Sequence, residues 1–223
     1  MSLVLGPVHY WMHNKIKTTE SREAAIVSAF KKRFGEAACT EVLANVHKKF
    51  PPSKNGDKPL EEILEGVMIH QGIQNLIVAV ETREAATVAA FSKKFGKDAN
   101  EIAIKTAYEH GVSCGQTAAT EKGNGCNAKE AFELLGDYFC DGMPCDRGAQ
   151  VVEESEKRTT WDHNDCVHMG YWQTAEAPSD TMCDLVTAWI DGFGKGLNPS
   201  LTHKREKCIA KGDADCISSY ELK

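Results

Sequence analysis

The sequence predicts an α+β fold, with helices in the first part of the chain and an antiparallel sheet of about four strands near its end. Two observations support this prediction. A helical segment occurs twice, at residues 22–50 and 83–111, and short β-compatible runs follow a turn-rich change of composition at Asp141. We therefore expect a helical region over residues 1–147 and a cysteine-rich α+β region over residues 148–223.

The internal repeat can be read directly, because residues 22–35 are REAAIVSAFKKRFG and residues 83–96 are REAATVAAFSKKFG. Both copies place Ala, Val and Phe at helical spacing and end at a Phe-Gly stop. A second helix is predicted after each copy, at 37–49 and 97–109, and a third begins near Leu60 and near Ala128. Two copies are too few for a solenoid, so we expect two helical units packed face to face or a helical layer that covers another element.

The two ends of the chain have different predicted structures. The first fifteen residues are predicted to form a capping arm or a short strand. In the cysteine-rich region, strands are predicted at 150–156, 158–163, 201–210 and 216–220, where the last two are joined by a Gly-Asp turn. A helix is predicted from Asp184 to Phe193, and the glycines of Gly194-Lys195-Gly196 are expected to end it.

Composition narrows the classes of function. The formal net charge of −6 argues against nucleic acid as a partner, which usually needs a basic face. No run of about 18 apolar residues predicts a membrane span, and the N-terminus lacks the basic start and apolar run of a signal peptide, so we expect a cytoplasmic protein. Dinucleotide-binding, Walker, His-Glu-x-x-His and Gly-x-Ser-x-Gly motifs are absent from the sequence.

Nine cysteines are many for a chain of this length, and in the cytoplasm they are expected to be reduced thiols. Three of them, Cys183, Cys208 and Cys216, are predicted to converge near the base of a helix and the ends of a hairpin. Three thiolates suit zinc, and the fourth ligand is open between Glu206, Asp184, His203 and water. The alternative interpretation is that these cysteines are small core residues.

A second group of reactive residues occupies Asp162-His163-Asn164-Asp165-Cys166-Val167-His168. A thiol flanked by imidazoles and carboxylates has what a cysteine nucleophile needs, namely a base that takes its proton and an acid that orients the base. The same residues could instead bind a metal, or the two histidines could be solvated loop residues. Cys166, His163 and His168 are therefore the candidate catalytic residues.

Several short motifs carry a family resemblance. Residues 93–96 read Lys-Lys-Phe-Gly, residues 108–111 read Tyr-Glu-His-Gly, and further on the order is Cys166, Cys183, Asn198-Pro199, Arg205, Gly212 and Cys216. In these features the chain resembles the L-2-amino-thiazoline-4-carboxylic acid hydrolase family. The order of Cys183, Cys208 and Cys216 also resembles the 4-vinyl reductase type of small-molecule-binding domain, in whose effector-sensing members three cysteines and an acid bind zinc. The position of that acid is Arg205 here, so no fourth ligand is carried over.

The hydrolase resemblance implies hydrolytic opening of a small heterocycle or of an amide-like C–N bond. Cys166 would be the nucleophile or a ligand, and His163 or His168 the general base. Asp184 or Arg205 would hold a substrate carboxylate or orient the base. The alternative function is a non-catalytic module, in which a zinc-stapled C-terminal unit closes a pocket for a small ligand. The expected partner is a small molecule, and a homo-oligomer is left open.

Overall fold

The computed structural model describes residues 4–56, 58–123, 125–146 and 148–223. Within these ranges the chain is α+β, as predicted, with most residues in helices and one four-stranded antiparallel sheet built from the C-terminal region. The helices are α1 Pro7–Phe34, α2 Glu36–Lys49, α3 Leu60–Ile63, α4 Ile69–Phe95, α5 Lys97–Lys122, α6 Ala128–Tyr138, α7 Met169–Thr174 and α8 Ser179–Leu197. The strands are β1 Gln150–Glu154, β2 Arg158–His163, β3 Leu201–Lys207 and β4 Cys216–Leu222.

The prediction of an arm or strand at the N-terminus is wrong from residue 7 onward, because α1 begins at Pro7. Proline is favoured at the first position of a helix, where its missing N–H costs nothing. Met12 and Ile16, four residues apart, are both buried and form the inward stripe of this first part of the helix. In the sequence, apolar Val8, Tyr10 and Met12 alternate with His9, Trp11 and His13, and this weak two-residue alternation concealed the helical period. Residues 1–3, Asp57, Asn124 and Arg147 lie outside the described residues.

The two repeat copies form the facing helices α1 and α4. Corresponding phenylalanines stack on each other, with ring centroids 4.2 Å apart for Phe30 and Phe91 and 4.0 Å apart for Phe34 and Phe95. Because successive equivalent residues meet in the same order, the two helices run in the same direction about an approximate twofold axis. The face-to-face packing expected from the repeat therefore agrees with the structure, and the phenylalanines are core residues.

Charged residues of the repeat are buried at the same interface. Arg22 donates to both carboxylate oxygens of Glu84, with both distances 2.7 Å, and the equivalent Arg83 donates to Glu23 at 2.8 Å. Thr87 donates its hydroxyl to the second Glu23 oxygen at 3.2 Å. The bidentate geometry satisfies the guanidinium and the carboxylate together, which buried ion pairs require. The duplication thus supplies each buried charge with a partner from the other copy.

Helix α8 does not end at Gly194 as predicted, but continues to Leu197. Its glycines instead permit close contact with α5. A Cβ on Gly192 would lie 2.1 Å from the carbonyl oxygen of Tyr108, and a Cβ on Gly196 would lie 2.2 Å from that of Val112. Two helix backbones approach this closely only where side chains are absent. The glycines here mark a helix–helix interface rather than a helix stop.

The sheet has the strand order β1-β2-β4-β3, with every neighbouring pair antiparallel. Strand β2 has its predicted bounds, whereas β3 ends earlier, at Lys207, before a short 3-10 turn at Ile209–Lys211, and β4 runs on to Leu222. One hydrophobic core joins the helical region to the sheet, since Phe30, Trp189 and Tyr220 belong to the same buried cluster. Among the helices of the described chain, none is long and apolar enough to cross a membrane.

Candidate active site

A partly enclosed cavity of about 310 Å³ lies where α1, α6 and α8 meet the sheet and the loop before α7. This volume is at the lower end of the range of small-molecule sites. The apolar wall consists of aromatic and aliphatic side chains, including Phe132, Leu135, Phe139, Trp161, Trp172, Val186 and Ile190. The polar lining consists of Lys15, Asp141, His163, Cys166, His168, Cys183, Arg205 and Cys216. Most of the sequence-predicted site residues therefore share one cavity.

The ends of secondary-structure elements position the polar residues of this cavity. His163 is the last residue of β2, and His168 directly precedes the first turn of α7. Asp141 lies in the turn after α6, where Gly142 has a φ of +72°, a conformation that favours glycine. The turn brings Asp141 to His163, and Asp141 also accepts the Ala149 N–H at 3.1 Å.

Asp141 and His163 form a hydrogen-bonded pair, with the histidine Nε2 2.8 Å from the carboxylate oxygen. The side chains are only 19% and 12% exposed, respectively. Burial alone would raise the pKa of Asp141, but the hydrogen bond from His163 and the charges of both histidines lower it overall. Asp141 is therefore an anion at neutral pH, and in the neutral tautomer of His163 that donates from Nε2 to this anion, Nδ1 is the basic nitrogen.

His168 extends this array into the core. Its Nδ1 lies 3.2 Å from the Glu81 carboxylate, and its Nε2 lies 3.8 Å from Asp141. Burial acts to lower the pKa of His168, but the Glu81 and Asp141 carboxylates outweigh it and raise the pKa above its usual value. Because it is held between two carboxylates and only 7% exposed, His168 is suited to holding Asp141 in place.

Cys166 lines the same cavity and is partly buried. Burial raises the pKa of its thiol, and hydrogen bonding from the His168 and Met169 amides lowers it only in part. The thiol is therefore protonated at neutral pH unless a base takes its proton as it reacts. The structure brings Cys166 to the cavity that His163 and His168 line, as the grouping in the sequence suggested.

The three C-terminal cysteines also converge. The Cys183 and Cys208 sulfurs are 3.2 Å apart, and the Cys216 sulfur accepts the Ile209 N–H at 3.2 Å. Burial, then the contact with Cys208, raises the pKa of Cys183 to about 12. Three thiols suit a soft ion, but no group of three His, Cys, Asp or Glu side chains within the described ranges has the arrangement that holds a metal. Zinc binding by Cys183, Cys208 and Cys216 therefore stays a prediction, which elemental analysis tests.

The residues considered as a fourth zinc ligand have other partners. Asp184 pairs with Lys211 at 2.6 Å, and Glu206 pairs with Arg158 at 2.9 Å. His203 packs against the rings of Trp161 and Tyr220, and its buried Nε2 has no hydrogen-bond partner within the described residues. Since Asp184 is half exposed and absent from the cavity lining, the structure does not bring this predicted catalytic residue to the other site residues.

Arg205, by contrast, does reach the cavity from β3. Its guanidinium lies near Cys216, where it lowers the pKa of that thiol, although burial outweighs this effect and raises the pKa overall. Within the described chain, the buried Arg205 Nε and Ser218 Oγ have no hydrogen-bond partner, and the two residues face each other across β3 and β4. Both of these atoms are buried, and of the two residues only Arg205 lines the cavity.

Three residues of the site were missed from the sequence: Lys15, Glu81 and Asp141. Lys15 lies in the segment that was predicted not to be helical, which hid its position on the inward face of α1. Glu81 immediately precedes the second repeat, and a buried charge there is visible only once α4 is seen to face α7. Asp141 did have a signal, because it opens the turn cluster Asp-Gly-Met-Pro directly after a predicted helix.

The fold and this cavity define an α+β protein with an aromatic-walled pocket that carries a histidine–carboxylate pair, thiols and cations. No protein-family model, no curated protein and no solved structure matches the chain. The resemblances to the thiazoline-carboxylate hydrolases and to the 4-vinyl reductase type of domain therefore stay predictions.

Proposed function

We propose that the protein is a small-molecule hydrolase that opens a heterocyclic or amide-like C–N bond in this cavity. The observation that carries the proposal is the Asp141–His163 pair, a buried carboxylate that holds a histidine at 2.8 Å at the edge of an apolar pocket. Such a pair is a general base whose tautomer and orientation are fixed in advance. A cytoplasmic location, in which the thiols stay reduced, is part of the same proposal.

In the proposed reaction, His163 Nδ1 takes a proton from water as the water oxygen attacks the electrophilic carbon. The hydroxyl group bonds to that carbon, the C–N bond breaks, and the proton passes from His163 to the leaving nitrogen. Asp141 stabilises the imidazolium that exists between these two transfers. Arg205 is the candidate for holding a substrate carboxylate, since it is a cationic side chain that lines the cavity.

Cys166 has two possible roles in this scheme, as the attacking group or as a wall of the pocket. Its raised pKa makes a resting thiolate scarce at neutral pH, so attack by sulfur would require His163 or His168 to remove the thiol proton. Attack by water likewise requires a base, so His163 is the base with either nucleophile. We propose water as the nucleophile.

Turnover of a panel of small cyclic amidines, thiazolines and amides tests the proposal, with ring opening followed by mass spectrometry. For any compound that turns over, His163→Gln is expected to lower kcat about 10²–10⁴-fold, the usual contribution of a general base. His70→Gln is the matched control, because His70 is exposed and lies outside the cavity lining. Full activity of His163→Gln, with folding verified by circular dichroism, would remove His163 from the mechanism.

The second candidate function is a non-catalytic small-molecule-binding module. The raised pKa of Cys166 and the apolar wall favour it, because both suit binding without supplying a nucleophile. The two functions differ in one measurement. A compound that raises the melting temperature of the protein and is recovered unchanged after long incubation supports the module, whereas recovery of the ring-opened product supports the hydrolase.

A further inference from the structure

Lys15 is a buried lysine of α1 that lines the cavity and is only 4% exposed. Its ammonium nitrogen lies 3.4 Å from the centroid of the Trp11 ring. That ring is fixed in turn, because its Nε1–H donates to Asp137 at 2.9 Å. Within the described ranges, no carboxylate lies within 4.0 Å of the Lys15 nitrogen and no hydrogen bond satisfies it. The side chain therefore ends at the cavity without an anionic partner.

This arrangement is unusual for a buried lysine, which is normally paired. Cys140, Asp141 and Asp137 act on the Lys15 charge at longer range. Burial lowers the pKa of Lys15 to about 8, and these three groups offset the effect only in part. The hydrolysis proposed above uses no group on α1, so this amine has no role in it.

We propose that Lys15 is a covalent attachment site, at which its amine forms an imine with a small aldehyde or 2-oxo acid bound in the cavity. The geometry gives three reasons. The amine borders a space that can hold a small molecule, it lacks a carboxylate that would keep it as a fixed ion pair, and it shares the cavity with the Asp141–His163 pair, which can exchange protons.

The step balances without any further reactant. The neutral amine of Lys15 adds to the carbonyl carbon, one N–H proton moves to the oxygen, and a carbinolamine results. The hydroxyl group then leaves with the second nitrogen proton as water, and the C=N bond forms. The Asp141–His163 pair can supply and receive the protons, while the Trp11 ring stabilises the cationic form of the imine. The inference uses the same cavity as the proposed hydrolysis but does not depend on it.

Reductive trapping tests the inference directly. Wild-type protein is incubated with glyoxylate and sodium cyanoborohydride near pH 7, and the labelled lysine is located by peptide mapping. Lys15 is expected to carry the reduced adduct well before Lys17, its exposed neighbour on α1, because at pH 7 its pKa gives it roughly 200-fold more neutral amine than a surface lysine has. The labelling rate of Lys15 is expected to rise with pH until about 8 and then level off.

Lys15→Arg, which keeps the charge but cannot form an imine, is expected to abolish the fast adduct, and Lys17→Arg to leave it unchanged. The site of labelling in the wild-type protein is decisive even if Lys15→Arg fails to fold. Labelling of Lys17 and other surface lysines ahead of Lys15 would overturn the inference. So would glyoxylate binding that depends on Lys15 but leaves no adduct after reduction, since Lys15 would then be only an anchor for the carboxylate.

Discussion

Helix α1 carries two buried cations two helical turns apart, and they meet opposite surroundings. Arg22 is held by both oxygens of Glu84 at 2.7 Å, whereas Lys15 faces the Trp11 ring and a cavity. The charge of Arg22 is balanced within the fold, and the charge of Lys15 is not. A buried charge with its partner belongs to the frame of the molecule, meaning the packed helices and sheet, and the buried charge without a partner is where we propose that a ligand binds.

Breaking the balanced pair should have the largest effect. Glu84→Gln keeps the shape of the side chain but leaves Arg22 buried without a counter-charge. We expect it to lower the free energy of unfolding, measured by urea titration, by about 3–5 kcal/mol. Glu36→Gln is the control, because it removes an exposed pair with Lys31 at 2.8 Å and should cost no more than about 1 kcal/mol. Equal losses in the two variants would show that the buried pair is not part of the frame.

Removing the unpaired charge of Lys15 should instead raise the free energy of unfolding. Lys15→Met replaces an unpaired ammonium by a flexible apolar side chain that can also contact Trp11, so we expect a gain of about 0.5–2 kcal/mol at pH 7. The lowered pKa sets the pH dependence. Folding disfavours the charged form of Lys15, so this charge destabilises the folded state fully below about pH 8. The destabilisation decreases as the pH rises toward 10.5, the pKa of the lysine in the unfolded chain.

The gap between Lys15→Met and the wild type should therefore narrow between pH 8 and pH 10.5. A gap that widens in this range would mean that Lys15 is stabilised as a cation by the folded state. A variant less stable than the wild type at pH 7 would show that Lys15 belongs to the frame, as Arg22 does.

Much of the frame could be predicted from the sequence. The repeat indicated two facing helical units, because the same apolar and charged letters recur at helical spacing, and the α+β class followed from β-branched runs confined to the C-terminal region. Local signals predicted β2 at its observed bounds and α6 from its start. The predicted end of α8 was wrong, because the sequence does not distinguish a glycine that ends a helix from a glycine that allows two helices to pack closely.

The site was predicted only in part, for a physical reason. His163, Cys166 and His168 are near each other in sequence, so a local pattern revealed them. Lys15 and Asp141 join them only through contacts between distant elements, and no local pattern shows that a charge will be buried without a partner. Asp184 illustrates the converse, since its position beside Cys183 suggested a role at the thiols, but its side chain pairs with Lys211 instead.

The smallest expected effect is a difference in alkylation rate between two thiols, which tests whether the cavity activates Cys166. Burial raises the pKa of Cys166, so at pH 7 iodoacetamide should alkylate it more slowly than the exposed Cys145, as followed by peptide mass spectrometry. As the pH is raised, the alkylation rate of Cys166 should keep increasing at pH values where the rate of an ordinary thiol is already constant. Faster labelling of Cys166 than of Cys145 at pH 7 would mean that the histidines hold a thiolate there, and the nucleophile would then be sulfur rather than water.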